Sequence, residues 1–209
     1  MKIYFSKKIL PAITFDDATL AVQVANAVLQ GGLDIMEVPF RTKVAAESIK
    51  LIREAFPEMK IGAGTLLTPA QVVEAKKTGA QFGLAPGFNP AVVKEAFKND
   101  FPFIPGVMTP SDVEMALELG CLILKLFPAA QVGGIAMLSA LHGPYSHTGI
   151  KFIPMGGITL DNLNDYLSLP NVEAVGGSWL ATKSLIAKKA FDIIKLNVRN
   201  AVDKSNLVF

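Results

Sequence analysis

The sequence predicts an α/β protein folded as a (β/α)8 TIM barrel, a single domain spanning residues 1–209, and three observations carry that expectation. Short apolar or β-branched runs alternate with amphipathic stretches along the whole chain, the pattern of repeated strand–helix units around a parallel sheet. Helix-start and helix-stop signals recur between those runs. No run is followed by GxGxxG and no Walker-type lysine occurs, which removes the commonest open-sheet nucleotide folds and favours a closed barrel.

The runs give eight expected strands. Ile9-Leu10-Pro11-Ala12-Ile13, Ile35-Met36-Glu37-Val38, Lys60-Ile61-Gly62-Ala63 and Gln81-Phe82-Gly83-Leu84 form the first half. Phe103-Ile104-Pro105, Leu122-Ile123-Leu124-Lys125-Leu126, Lys151-Phe152-Ile153-Pro154 and Val172-Glu173-Ala174-Val175 form the second. Thr68-Pro69, Asn89-Pro90 and Thr109-Pro110 each set a capping residue before a proline at the first helical position. Gly31, Gly79 and Gly120 fall where three helices should close on a left-handed residue. A strand-to-strand spacing of roughly 20 to 30 residues implies right-handed crossovers on a wholly parallel sheet.

Composition narrows the function classes. Hydrophobic residues make up 51% and charged residues 18%, far from disorder and apolar enough to spare surface for a subunit interface. The net charge of +2 gives no field for nucleic acid or an anionic membrane, so any bound anion must be gripped locally. The one cysteine, Cys121, lies in an apolar run and fits a reducing cytoplasm. Near the N-terminus, Lys7, Lys8 and Pro11 interrupt an apolar stretch already too short for a signal peptide or a membrane span, and a soluble, cytoplasmic protein is expected.

In a parallel barrel, chemistry belongs at the C-terminal strand ends. The polar residues and glycines there are Glu37, Arg41, Thr65, Lys125, Gly156-Gly157 and Gly176-Gly177-Ser178. Lys125 has apolar neighbours on both sides, and a dry pocket is one way to obtain the free amine that attacks a carbonyl. Its structural alternative is a strand-end lysine whose stem packs while its head reaches water. Glu37 also interrupts an apolar strand, so it and Lys125 could meet at the barrel mouth, either for proton transfer or as a structural ion pair. Arg41 could hold a carboxylate with both arms of its fork. Gly62-Ala63-Gly64-Thr65 would bring bare backbone and one hydroxyl near a ligand.

The paired glycines after the last two strands suggest a phosphate site, each loop opening a helix whose N–H groups face the anion. Tight turns are the alternative. His142 and His147 have no Cys or carboxylate cluster around them, so no metal site is expected, and Ser146 beside His147 makes no nucleophile elbow. Phe127 and Trp179 are expected at the mouth, keeping Lys125 dry.

Together these residues resemble the family of 2-keto-3-deoxy-6-phosphogluconate and 4-hydroxy-2-oxoglutarate aldolases. The likeness runs in order through Gly31-Gly32 to Glu37-Val38-Pro39-Phe40-Arg41-Thr42, Gly62-Ala63-Gly64-Thr65, Ala85-Pro86-Gly87 and Ile104-Pro105-Gly106. It continues through Leu124-Lys125-Leu126-Phe127-Pro128-Ala129, Pro154-Met155-Gly156-Gly157-Ile158 and Gly176-Gly177-Ser178-Trp179-Leu180. The resemblance implies a class I aldolase without metal or cofactor, a homotrimer, that cleaves the phosphorylated keto acid to pyruvate and glyceraldehyde 3-phosphate. It would also accept 4-hydroxy-2-oxoglutarate.

By position, Lys125 would form the Schiff base and Glu37 would be the general acid/base. Arg41 and Thr65 would hold the pyruvate carboxylate, and Phe127 would pack on the pyruvyl carbons. Gly156, Gly157, Gly177 and Ser178 would bind the distal phosphate. Met155 stands where familiar members often carry threonine, and Ile13-Thr14-Phe15 where some carry an arginine; both bear on the aldehyde half. Arg41 itself points to the gluconate rather than the galactonate branch. The competing expectations are a phosphosugar isomerase or epimerase barrel, with Glu37 as base, and a non-catalytic phosphosugar-binding barrel.

Overall fold

The apolar runs form strands and the stretches between them helices, in a computed structural model that describes Ile3 and residues 5–208. Met1, Lys2, Tyr4 and Phe209, counted above in the same domain, lie outside the described residues. The first half reads β1 (Ile9–Pro11), α1 (Ala21–Gly31), β2 (Ile35–Pro39), α2 (Ala45–Ala55), β3 (Lys60–Gly64), α3 (Pro69–Lys77), β4 (Phe82–Leu84) and α4 (Pro90–Lys98). Then come β5 (Phe103–Ile104), β6 (Gly106–Val107), α5 (Pro110–Glu118), β7 (Ile123–Leu126), α6 (Gly134–Tyr145) and β8 (Lys151–Pro154). The last part is α7 (Leu163–Leu167), β9 (Val175–Gly177), α8 (Lys183–Ala187) and α9 (Phe191–Ser205).

All the pairings are parallel, in the orders β2-β3-β4-β5, β6-β7-β8 and β1-β9. Three junctions close these arcs into a ring. Ala12 bridges Glu37, and the Ile13 N–H donates to the Glu37 carbonyl at 2.8 Å, joining β1 to β2. Met155 bridges Gly176, joining β8 to β9. The third junction is Pro105, which has no N–H for the ladder: it ends β5 one residue short of the expected strand Phe103–Pro105, and β6 resumes beyond it at Gly106. Its carbonyl still accepts from the Lys125 N–H at 2.9 Å, so β5 and β6 act as one stave.

Two other expectations change. The last strand, expected over Val172–Val175, runs instead from Val175 to Gly177, because β1 pairs with it only from Ile9 opposite Val175 onward; Val172 makes an isolated bridge to Phe152. Gly31 does not close α1. Gly32 takes the left-handed conformation at φ 105°, and Gly31 is the last helical residue, pressed against α9 where a Cβ would stand 2.5 Å from Val198 Cβ. Gly79 and Gly120 are left-handed as expected. The three proline starts also form: Thr68 and Thr109 close capping boxes with Gln71 and Asp112, and the Asn89 side chain accepts from the Ala91 N–H.

Period-two alternation divides the buried residues into two shells. Met36, Val38, Ile61, Ala63, Leu124 and Leu126 point outward and pack under the helices. Leu10, Ile35, Phe82, Leu84, Ile104, Ile153 and Met155 point inward and fill the lumen, with Phe5 among them at the N-terminal end. Large residues face small ones there: the Phe82 ring occupies the space a Cβ on Gly62 would take, 2.3 Å away. Glu37 follows Ile35, and Lys125 follows Ile123, in the same inward register.

Candidate active site

The register that fills the lumen with hydrocarbon below delivers two charges above it. Glu37 is 1% exposed and Lys125 6%, with Lys125 Nζ 3.5 Å from Glu37 Oε1. Glu37 Oε2 is buried with no hydrogen-bond partner among the described residues. A buried ion pair built for stability needs its remaining lone pairs satisfied, so a long pair with a bare second oxygen is a poor structural device. Room for the carboxylate comes from Gly64, where a Cβ would stand 1.7 Å from Glu37 Oε1. The sequence suggests that this glycine bares backbone to a ligand, but its neighbour is Glu37.

A cavity of about 430 Å³ opens over the pair. The nine residues to which the resemblance gives roles all line it: Glu37, Arg41, Thr65, Lys125, Phe127, Gly156, Gly157, Gly177 and Ser178; Gly176, also at a strand end, pairs with Leu10 inside β9 and does not. Phe127 lies two residues beyond Lys125, and its ring centroid is 5.3 Å from Nζ. Arg41 is exposed and donates from Nη2 to Thr14 Oγ1 at 2.9 Å. Thr65 adopts φ 55°, a left-handed conformation that costs a β-branched residue about 1–3 kcal/mol and is characteristic of functional loops. Ala12, Pro39, Pro86, Met155, Ile158 and Trp179 complete the wall. Of these, Ala12 and Pro39 could have been found by extending the inward register one step along their strands.

The glycine loops are arranged differently from expectation. They do not open directly into helices: α7 begins only at Leu163 and α8 at Lys183, where the Thr182 hydroxyl accepts from the Leu185 N–H. Each is a short helix with little dipole to offer an anion. Backbone N–H groups remain, since neither Gly157 nor Ser178 donates its N–H to another described residue. Gly156 and Gly157 hold φ 91° and 89°, which L side chains rarely adopt, and a Cβ on Gly157 would meet Ala130 Cβ at 2.3 Å.

A second cavity, of about 710 Å³, lies at the opposite mouth between Phe97, Phe103 and Leu122. Its polar groups include Asp100 and the Cys121 thiol, which burial pushes up to about 11, so it offers no nucleophile at neutral pH. Chemistry therefore selects the smaller cavity. His142 and His147 sit on α6 and the turn after it, away from either cavity, and no group of three His, Cys, Asp or Glu that could hold a metal occurs among the described residues. No described helix is long and apolar enough to cross a membrane.

A family model for KDPG and KHG aldolase matches residues 2–196. The chain is 43% identical over 196 residues to a 2-dehydro-3-deoxy-phosphogluconate aldolase of Haemophilus influenzae, covering 94% of this chain and 92% of that one. It is 45% identical over 184 residues to the enzyme of the same description from Treponema pallidum, covering 88% and 87%. Among solved structures it is similar to the KDPG aldolase of Legionella pneumophila, described with pyruvate captured at low pH as a covalent carbinolamine intermediate. That likeness has a TM-score of 0.89 at 36% identity and covers 92% of each chain.

Proposed function

The chain belongs to the KDPG and KHG aldolase family, and from that premise we propose that Lys125 is its imine-forming lysine, with Glu37 as the proton carrier beside it. The protein is a class I aldolase that cleaves 2-keto-3-deoxy-6-phosphogluconate to pyruvate and glyceraldehyde 3-phosphate. The observation that carries the residue assignment is the buried 3.5 Å contact between Lys125 Nζ and Glu37 Oε1 on the cavity floor.

Glu37 takes a proton from the Lys125 ammonium, the freed amine attacks the C2 carbonyl to give a carbinolamine, and the same proton, returned by Glu37, lets the carbinolamine hydroxyl leave as water. The resulting iminium is the electron sink. Glu37, now a carboxylate, takes the C4 hydroxyl proton; the C3–C4 bond breaks, its electrons pass to the iminium, and the aldehyde departs. Glu37 gives that proton to C3 of the enamine, and water hydrolyses the imine, which releases pyruvate and restores Lys125 and the Glu37 carboxylate. Arg41 and Thr65 hold the carboxylate, Phe127 covers the pyruvyl carbons, and the Gly156, Gly157, Gly177 and Ser178 loops take the phosphate. Unpartnered N–H groups at Gly157 and Ser178 support the last assignment.

We propose further that the protein is a homotrimer in the cytoplasm, with residues 1–209 as one unit. Exposed Leu67, Met108 and Met115 supply apolar surface that an interface would bury, and light scattering checks the state.

Pyruvate with borohydride tests the site. One reduced pyruvate adduct per chain, on the peptide containing Lys125, is expected. No mass change, or an adduct on another lysine, would remove Lys125 from this role.

A further inference from the structure

Arg41 leaves β2 on a tight turn, its N–H donating to the Pro39 carbonyl at 2.8 Å, and its side chain reaches into solvent. An exposed arginine samples many rotamers, and a carboxylate clamp works only if the plane of the guanidinium is fixed. Its one side-chain hydrogen bond among the described residues runs from Nη2 to Thr14 Oγ1 at 2.9 Å. Leu10, Ala12 and Thr14 follow the inward register of the first stave: Leu10 lies in the lumen, Ala12 lines the cavity, and Thr14 comes next at the rim. Backbone pairing fixes this segment, since Ala12 bridges Glu37 and the Ile13 N–H donates to the Glu37 carbonyl. The hydroxyl that holds Arg41 is therefore set by the same backbone that sets Glu37.

We infer that Thr14 is a positioning residue for keto-acid recognition: its hydroxyl accepts one N–H of Arg41, orients the fork, and leaves the other donors for the substrate carboxylate. A guanidinium has five N–H donors, so engaging one leaves enough for a bidentate contact. The inference rests on Arg41 as the carboxylate clamp.

Borohydride trapping at increasing pyruvate concentration reads binding and chemistry separately. Thr14→Val, which removes the hydroxyl at nearly constant shape, should raise the half-saturating pyruvate concentration roughly three- to tenfold, the range for one lost hydrogen bond. The trapping rate at saturation should hold, and Thr14→Ser should restore the wild-type concentration. Acetone, a carbonyl without a carboxylate, should be trapped alike by all of these variants. In an Arg41→Ala background, Thr14→Val should add nothing. If Arg41→Ala weakens pyruvate binding and Thr14→Val does not, Thr14 has no positioning role and the clamp stands. If Arg41→Ala leaves binding unchanged, the clamp fails and the inference with it. Equal losses for pyruvate and acetone in Thr14→Val would make Thr14 a structural residue and overturn the inference.

Discussion

The lower and upper layers of the barrel lumen are built from the same strands, in the same inward register, one step apart. Below stand Leu10, Ile35, Gly62, Phe82, Ile123 and Ile153; two residues further along stand Ala12, Glu37, Gly64, Leu84, Lys125 and Met155. Glycine makes room in both. Under Gly62 the space is filled by the Phe82 ring, and beside Gly64 by the Glu37 carboxylate. One device, a missing Cβ, thus serves packing in one layer and chemistry in the next. The lower layer makes a dry floor, and on that floor a lysine and a carboxylate meet with little water between them. What distinguishes an active site here is which residues take the inward positions at the strand ends, since the backbone is the same.

The comparison would break most visibly at Glu37. Glu37→Gln keeps the shape and removes the proton carrier, so turnover should fall by roughly two to four orders of magnitude while the melting profile stays near normal. Near-normal turnover in steady-state cleavage would make the Glu37–Lys125 contact a structural ion pair.

Gly64→Ala sharpens the contrast by disturbing position alone. The new methyl must push the carboxylate aside, and displacement of about an ångström costs on the order of a hundredfold in rate. Circular dichroism should be unchanged and single-turnover cleavage slow. A full rate would mean that Glu37 works from more than one position.

In the lower layer, Phe82→Ala should act on stability rather than chemistry. The ring is 2% exposed, and removing it should cost about 3–5 kcal/mol of unfolding free energy, measured in urea. Turnover per folded molecule should change little. A loss of rate comparable to that of Gly64→Ala would show that the two layers are mechanically one.

Much of this was legible along the chain. Proline after Thr68, Asn89 and Thr109 marks helix starts because ring and cap act within one turn. Glu37 and Lys125 stand out because charge inside an apolar strand has few inexpensive explanations. Gly31 and the last strand depart from local expectation for one reason: their conformations answer to Val198 in α9 and to β1, distant in sequence. Strand–loop–helix order makes the glycine loops look like helix openings, whereas α7 and α8 begin only at Leu163 and Lys183.

The sequence by itself determined the barrel, the order of its parts and the residue types at its strand ends, since periodicity, caps and isolated charges act over a few residues. Only the tertiary structure decided that Gly64 clears space for Glu37, that Thr14 holds Arg41, and that Lys125 meets Glu37 at 3.5 Å. Each of these pairs joins different staves, and their distances depend on parallel register and ring closure, which are properties of the closed sheet rather than of any segment within it.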